Sequence, residues 1–182
     1  MRAVLETLAL GSLACLAGLA QPAPQHARQE RPRTPFMLSF VTPLQAPPRT
    51  WDVGGLRVNL VYGESHDFSG LDIGAAGRST GDSKGVHIAL LATVTEGDAI
   101  GLQIGAANHV KGAFKGLQVG VSSYASSARG AQIGFFNGAG HISGMQLGLI
   151  NVTRTMIGFQ VGVVNVIRDN DFPFLPLVNG YF

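Results

Sequence analysis

Cysteine is almost missing: the one cysteine in 182 residues is Cys15, inside an apolar N-terminal segment. Downstream of it the chain can form neither a disulfide nor a thiolate metal site, so packing and backbone hydrogen bonds must hold the fold. Charge is scarce as well, at 13% of residues against the usual quarter. The net charge is +2, with no basic stripe and no interleaved aromatic platform, so nucleic-acid binding has no support. No acid, base and nucleophile set recurs or clusters, and the reading is of a protein that is not an enzyme. No catalytic residue, cofactor or metal site is assigned. What is abundant is glycine, 25 residues, within a 46% hydrophobic composition. That is too apolar for a disordered chain. Glycine disfavours helices, so short strands joined by glycine-containing turns fit better.

One phrase organises the chain. It is GLQIGAAN from Gly101, GLQVGVSS from Gly116, GAQIGFFN from Gly130, GMQLGLIN from Gly144 and GFQVGVVN from Gly158. Degenerate copies precede it: GLRVNLVY from Gly55, GLDIGAAG from Gly70 and GVHIALLA from Gly85. Eight units with steps of 14 to 16 residues therefore cover about residues 55–168. A fixed short period over this length indicates tandem supersecondary units that bury one another's surface.

Strand side chains alternate, so each phrase has two faces. Met145, Leu147 and Leu149 share one; Gly144, Gln146 and Gly148 share the other. The same parity holds in the other GLQIG-type units, and a one-residue slip would invert it. The aliphatic face is expected to fill the core. The repeated glutamines Gln103, Gln118, Gln132, Gln146 and Gln160 are expected to form an outer ladder. Asn108, Asn137, Asn151 and Asn165 end the phrases and are expected at corners, where Asn tolerates left-handed backbone, with a stacked ladder as an added role. The segments between phrases, such as HVKGAFK and SYASSAR, read as polar turns.

Residues 1–20 read as a secretory signal peptide: Arg2, an apolar run of 13 residues from Leu8 to Ala20, then small residues for cleavage after Ala20. The run is too short to span a bilayer. Lipidation at Cys15 is the alternative; Ser12, three residues before it, is not the aliphatic residue that chemistry favours. Residues 21–34 read as a linker, and 35–182 as one repetitive β domain with a cap or final strand at 172–182. Pro35–Pro43 reads as a strand bounded by prolines, with Phe36, Leu38 and Phe40 at spacing two.

Two all-β architectures accommodate these units. In a parallel β-solenoid each unit is one coil. In an up-and-down outer-membrane barrel each unit is one of about ten strands, and the terminal Tyr181-Phe182 would suit such a barrel. The solenoid is favoured. The outward apolar stretch covers roughly 17 Å, short of the band of about 25 Å that a barrel needs, and Pro173 and Pro176 sit badly in a closing strand.

The succession GLRVNLVYG, GLDIG, repeated GLQIG or GLQVG phrases ending in Asn, then FPFLPLVNGYF, resembles the bacterial surface-repeat proteins described first from spirochaetes. The resemblance covers about Phe36 to Phe182, with departures at Gly85–Ala92 and at Gly116–Ser123, which lacks the Asn. It implies an exported, repeat-containing envelope protein and brings no catalytic residues with it. The expectation is a structural or adhesive protein of the outer membrane or cell surface, with the periplasm as the other compartment and an unknown surface partner. A barrel serving as anchor or small pore is the alternative, and with it membrane association.

The densest polar cluster, Glu64-Ser65-His66-Asp67, reads as a solvated turn. Arg57, Asp72 and His87 occupy the glutamine position in the first three units, so parallel stacking would place Asp72 about 5 Å from both neighbours. Asn151-Val152-Thr153 matches a glycosylation sequon by coincidence.

Overall fold

The glycine that opens each unit has a backbone that other residues rarely adopt. Gly101 has φ 128° and Gly144 φ 141°, and a Cβ at Gly144 would collide with the carbonyl of Gly130 one unit earlier. The chain therefore bends at a fixed point in each unit while neighbouring units lie in backbone contact. In a computed structural model, which describes residues 31–42 and 44–182, these units stack in parallel as a β-solenoid. The expected signal peptide, Cys15 and most of the linker lie outside the described residues.

The strands are β1 (Arg33–Val41), β2 (Leu44–Ala46), β3 (Asp52–Ser65), β4 (Phe68–Ser79), β5 (Ser83–Thr95), β6 (Ala99–Ile104), β7 (Ala107–Ile167) and β8 (Phe174–Tyr181). β1 starts two residues before Pro35 and ends two before Pro43. β7 is a 61-residue run that winds through several units without a break. Register follows the repeat: Gly55 pairs with Gly70, Gly70 with Gly85, Gly85 with Gly101 and Gly101 with Gly116. Extra residues in the longer units are absorbed just after the phrase, where register shifts between Asn59 and Tyr62 and between Gly74 and Ala76. Because β1, β3, β4, β5 and β6 pair parallel, the up-and-down barrel is excluded: its neighbouring strands must alternate in direction. β8 turns back and pairs antiparallel with the last unit of β7, ending the stack.

The parity is as expected, but the assignment of inside and outside is reversed. Gln103, Gln118, Gln132, Gln146 and Gln160 are 0–1% exposed. The aliphatic residues beside them, among them Ile104, Leu149 and Val163, face outward. The interior has room for glutamine because the positions two before and two after it are glycine, which leaves space for an amide but not for a row of branched side chains. The apolar core comes instead from the inter-unit segments that were expected to be polar turns. Val110, Phe114, Ala125, Ala128, Ala139, Ile142, Met156 and Ile167 form most of one buried cluster, and Met37, Val53 and Phe68 form a second near the N-terminal end. In β1, Met37 and Ser39 point inward while Phe36, Leu38 and Phe40 are exposed.

Candidate functional site

The interior carries two polar ladders. Each glutamine donates from Nε2 to the Oε1 of the glutamine one unit before. The distances are 2.8 Å for Gln118 to Gln103, 2.8 Å for Gln132 to Gln118, 2.7 Å for Gln146 to Gln132 and 2.6 Å for Gln160 to Gln146. The ladder satisfies amides that would otherwise be costly to bury. Asparagine does the same in the opposite direction: Asn137 Nδ2 donates to Asn151 Oδ1 at 2.9 Å, and Asn151 Nδ2 to Asn165 Oδ1 at 2.8 Å. Each Nδ2 also bonds a backbone carbonyl of the next unit: Asn108 to Val119, Asn137 to Leu147 and Asn151 to Val161, all at 2.9 Å. The four asparagines are buried and do not adopt left-handed backbone; outside glycine, among the described residues, Leu177 alone does (φ 67°). The expected ladder is present, and the expected corner role is replaced by a tie across the interior. The sequon is sealed, since Asn151 and Thr153 are both fully buried.

In the first three units the glutamine column is charged. Arg57 donates to Asp72 twice, Nε to Oδ1 at 2.9 Å and Nη2 to Oδ2 at 2.6 Å, with both groups buried. Arg57 also reaches the Ser65 hydroxyl at 2.7 Å and lies 4.5 Å over the Phe68 ring. Asn59 Nδ2 donates to Asp72 Oδ1 at 2.8 Å. His87 Nδ1 lies 3.2 Å from Asp72 Oδ2, and its Nε2 lies 2.5 Å from the Ser83 hydroxyl. Burial alone would push the Asp72 carboxyl up. Hydrogen bonds from His87 and Arg57, together with their charges, outweigh it and hold the carboxyl below its ordinary 3.8. Stacking thus pairs Asp72 with both neighbours, as expected, but inside the solenoid. Ser65, expected in a solvated turn, is part of this network.

Ser83, His87 and Asp72 have the connectivity of a hydrolytic triad. Its geometry does not serve attack on a substrate. The Ser83 side chain is 1% exposed, the two surface grooves described below do not reach it, and Arg57 already claims both oxygens of the carboxylate. The arrangement neutralises a buried charge.

A further column lies at one edge: Asp52, Asp67, Asp82 and Asp98. Each carboxylate accepts a backbone N–H from the next unit: Asp67 N to Asp52 at 3.1 Å, Asp82 N to Asp67 at 2.9 Å, Asp98 N to Asp82 at 3.0 Å and Ala113 N to Asp98 at 2.8 Å. Spacings of 15, 15 and 16 residues were the signal for it in the sequence, and reading only the GLQIG phrase missed it. Donor atoms of Asp52, His66 and Asp67 lie within 4.8 Å of one another and could together ligate a cation; their partners include backbone amides and one another.

The outer surface is where the molecule departs most from an ordinary soluble protein. Large apolar side chains are exposed along the stack, including Leu60, Leu90 (77% exposed), Val121, Phe135 (59%), Leu149 and Val163. They line a groove of about 1550 Å³ whose walls are the residues at and beside the fifth position of each unit, from Val58 to Val163, and whose end is Leu177 and Val178. A second groove of about 650 Å³ runs beside Gly116, Gly130, Gly144 and Gly158, closed at one end by Phe182. Singly exposed aliphatics are ordinary, but a continuous apolar face on this scale marks an interaction surface. Comparison with protein-family models, with curated proteins and with solved structures found no match.

Proposed function

We propose that this chain is an exported structural or adhesion-type protein of the cell envelope, without catalytic activity, akin to the surface-repeat proteins its motifs resemble. The observation that carries the reading is the apolar face, repeated unit by unit on a solenoid whose interior is locked by amide ladders. Such a scaffold presents a long, regular surface suited to broad contact. Most interior polar groups hold the stack, and the Ser83–His87–Asp72 array is buried away from both surface grooves. Residues 1–20 supply the export signal in this reading.

Fractionation of the native cell tests it, together with protease treatment of intact cells. The expected outcome is recovery in the envelope fraction. Recovery in the cytosol with residues 1–20 still attached would overturn the reading.

A further inference from the structure

Every unit presents outward residues from the one before its first glycine to the sixth after it. In this band, over all eight units, no carboxylate points outward; the charged residues at the second position, Arg57, Asp72 and His87, are buried. The outward charges in the band are three cations, Lys84, Lys115 and Arg129, each directly preceding the first glycine of its unit and each exposed. Among the described residues none of the three has an ion pair, whereas Arg78, Lys111 and Arg154, outside the band, pair with Glu96 or Asp169. The aspartate column stands at the edge beyond, two residues before Lys84, with its carboxylates on backbone amides.

We propose that this face seats on the surface of a lipid bilayer with anionic headgroups. The aliphatic and Phe side chains would enter the interface while Lys84, Lys115 and Arg129 pair with the headgroups. The inference rests on the envelope reading above and names the partner. Eight units at about 4.8 Å each give a face roughly 38 Å long, and four outward positions per unit about 6.6 Å apart make it roughly 20 Å wide, on the order of 800 Å². That exceeds the range for the largest patch on a typical monomer.

Backbone N–H and C=O groups bond along most of the stack, with ladder breaks at Leu60–Val61, Ala75 and Leu90–Leu91, so the face offers chiefly side chains to the hydrocarbon. Among the described residues no helix is long and apolar enough to cross a membrane; the contact proposed is that of a surface lying on the interface. Area alone would also admit a second copy, since two such faces together approach a standard protein interface. Charge separates the two occupants. Two copies face to face would bring six cations into one interface with the exposed carboxylates of Asp82 and Asp98 only at its edge, whereas an anionic leaflet attracts each cation.

The test is flotation of the purified full chain with phosphatidylcholine vesicles and with phosphatidylcholine–phosphatidylglycerol vesicles, beside sedimentation without lipid. The expected result is flotation with the anionic vesicles, weakened by salt. The triple variant Lys84→Ala/Lys115→Ala/Arg129→Ala should partition on the order of a hundredfold less. Phe135→Gln/Leu149→Gln should reduce binding to both vesicle types. Should that double variant fail to fold, the triple variant, whose side chains are exposed, still decides. Flotation of the triple variant equal to the parent would overturn the proposal and assign attachment to the N-terminal segment. A lipid-independent dimer that Phe135→Gln/Leu149→Gln dissociates would overturn it in favour of a second copy. A chain found in the envelope fraction that ignores both vesicles overturns the lipid proposal and leaves the envelope role standing.

Discussion

The first three units and the last five place different chemistry in one column. From Gly55 to Gly85 the inward position holds Arg57, Asp72 and His87; from Gly101 onward it holds five glutamines. The backbone treats the two regions alike, with the same glycine bend and the same parallel register. Their side chains solve one problem by different means. A glutamine ladder is open-ended, because each amide repeats the bond of the one before. Its last member shows the cost of stopping, since Gln160 Oε1 is buried without a hydrogen-bond partner. The charged set closes on its ions: Asp72 sits between Arg57 and His87, and Ser65, Ser83 and the Asn59 amide nitrogen bond to them, while Asn59 Oδ1 is itself buried without a partner. A ladder can be extended by adding units, whereas a closed set cannot lose a member without stranding a charge.

The largest expected break in this comparison is Asp72→Lys. It leaves the buried Arg57 facing a second cation and should destabilise the protein by about 3–5 kcal/mol. Thermal melting followed by circular dichroism measures it, and an unchanged melting curve would sink the closed-set account. Acid attacks the same group. The folded Asp72 carboxyl lies below its ordinary 3.8. It therefore contributes stability that is complete above that value and is lost as pH falls through the lower folded value. Hydrogen exchange below pH 3.8 should show β3 to β5 opening before the glutamine-bearing units of β7; simultaneous opening would deny the two regions their difference. Gln146→Leu interrupts the ladder and strands Gln132 Oε1, with an expected cost of about 1–3 kcal/mol. Denaturant melts of Gln146→Leu and Gln132→Leu should give similar values if the rungs are equivalent.

The smallest effect is a gain. Ser123 stands in the asparagine column between Asn108 and Asn137. Asn108 Nδ2 reaches its hydroxyl at 3.3 Å, but Asn137 Oδ1 is buried without a hydrogen-bond partner. Ser123→Asn would supply the missing donor and should stabilise by about 1 kcal/mol, read as a raised melting temperature.

Much of this was legible in the residues. Spacing gave the eight units, their common parity and the neighbourhood of Arg57, Asp72 and His87, because parallel stacking aligns whatever recurs at the period. The side facing inward does not follow from hydrophobicity. The overlooked signal was steric: Gly144, Gln146 and Gly148 share a parity, and a face that admits only glycine around one amide is crowded, hence interior. The link segments hide their core for a related reason. Val110, Phe114, Ile142 and Met156 lie among Lys, Ser and Gly, so the average of each segment looks polar while its inward positions are apolar. The asparagines failed as left-handed corners because an inward Nδ2 can bond a carbonyl of the next unit, which leaves the amide little reason to serve its own backbone.

What the sequence determined by itself is the period, the glycine bends and the rule that like residues stack on like. These are local properties, fixed by side-chain alternation and by φ values open mainly to glycine. Which face closes inward was decided only by the tertiary structure. A buried amide is stable only when the amide one unit away completes its bonds, and that partner lies 14 or 15 residues distant along the chain. Stacking supplies it, and in turning the glutamines inward it leaves the aliphatic face, with Lys84, Lys115 and Arg129, on the outside.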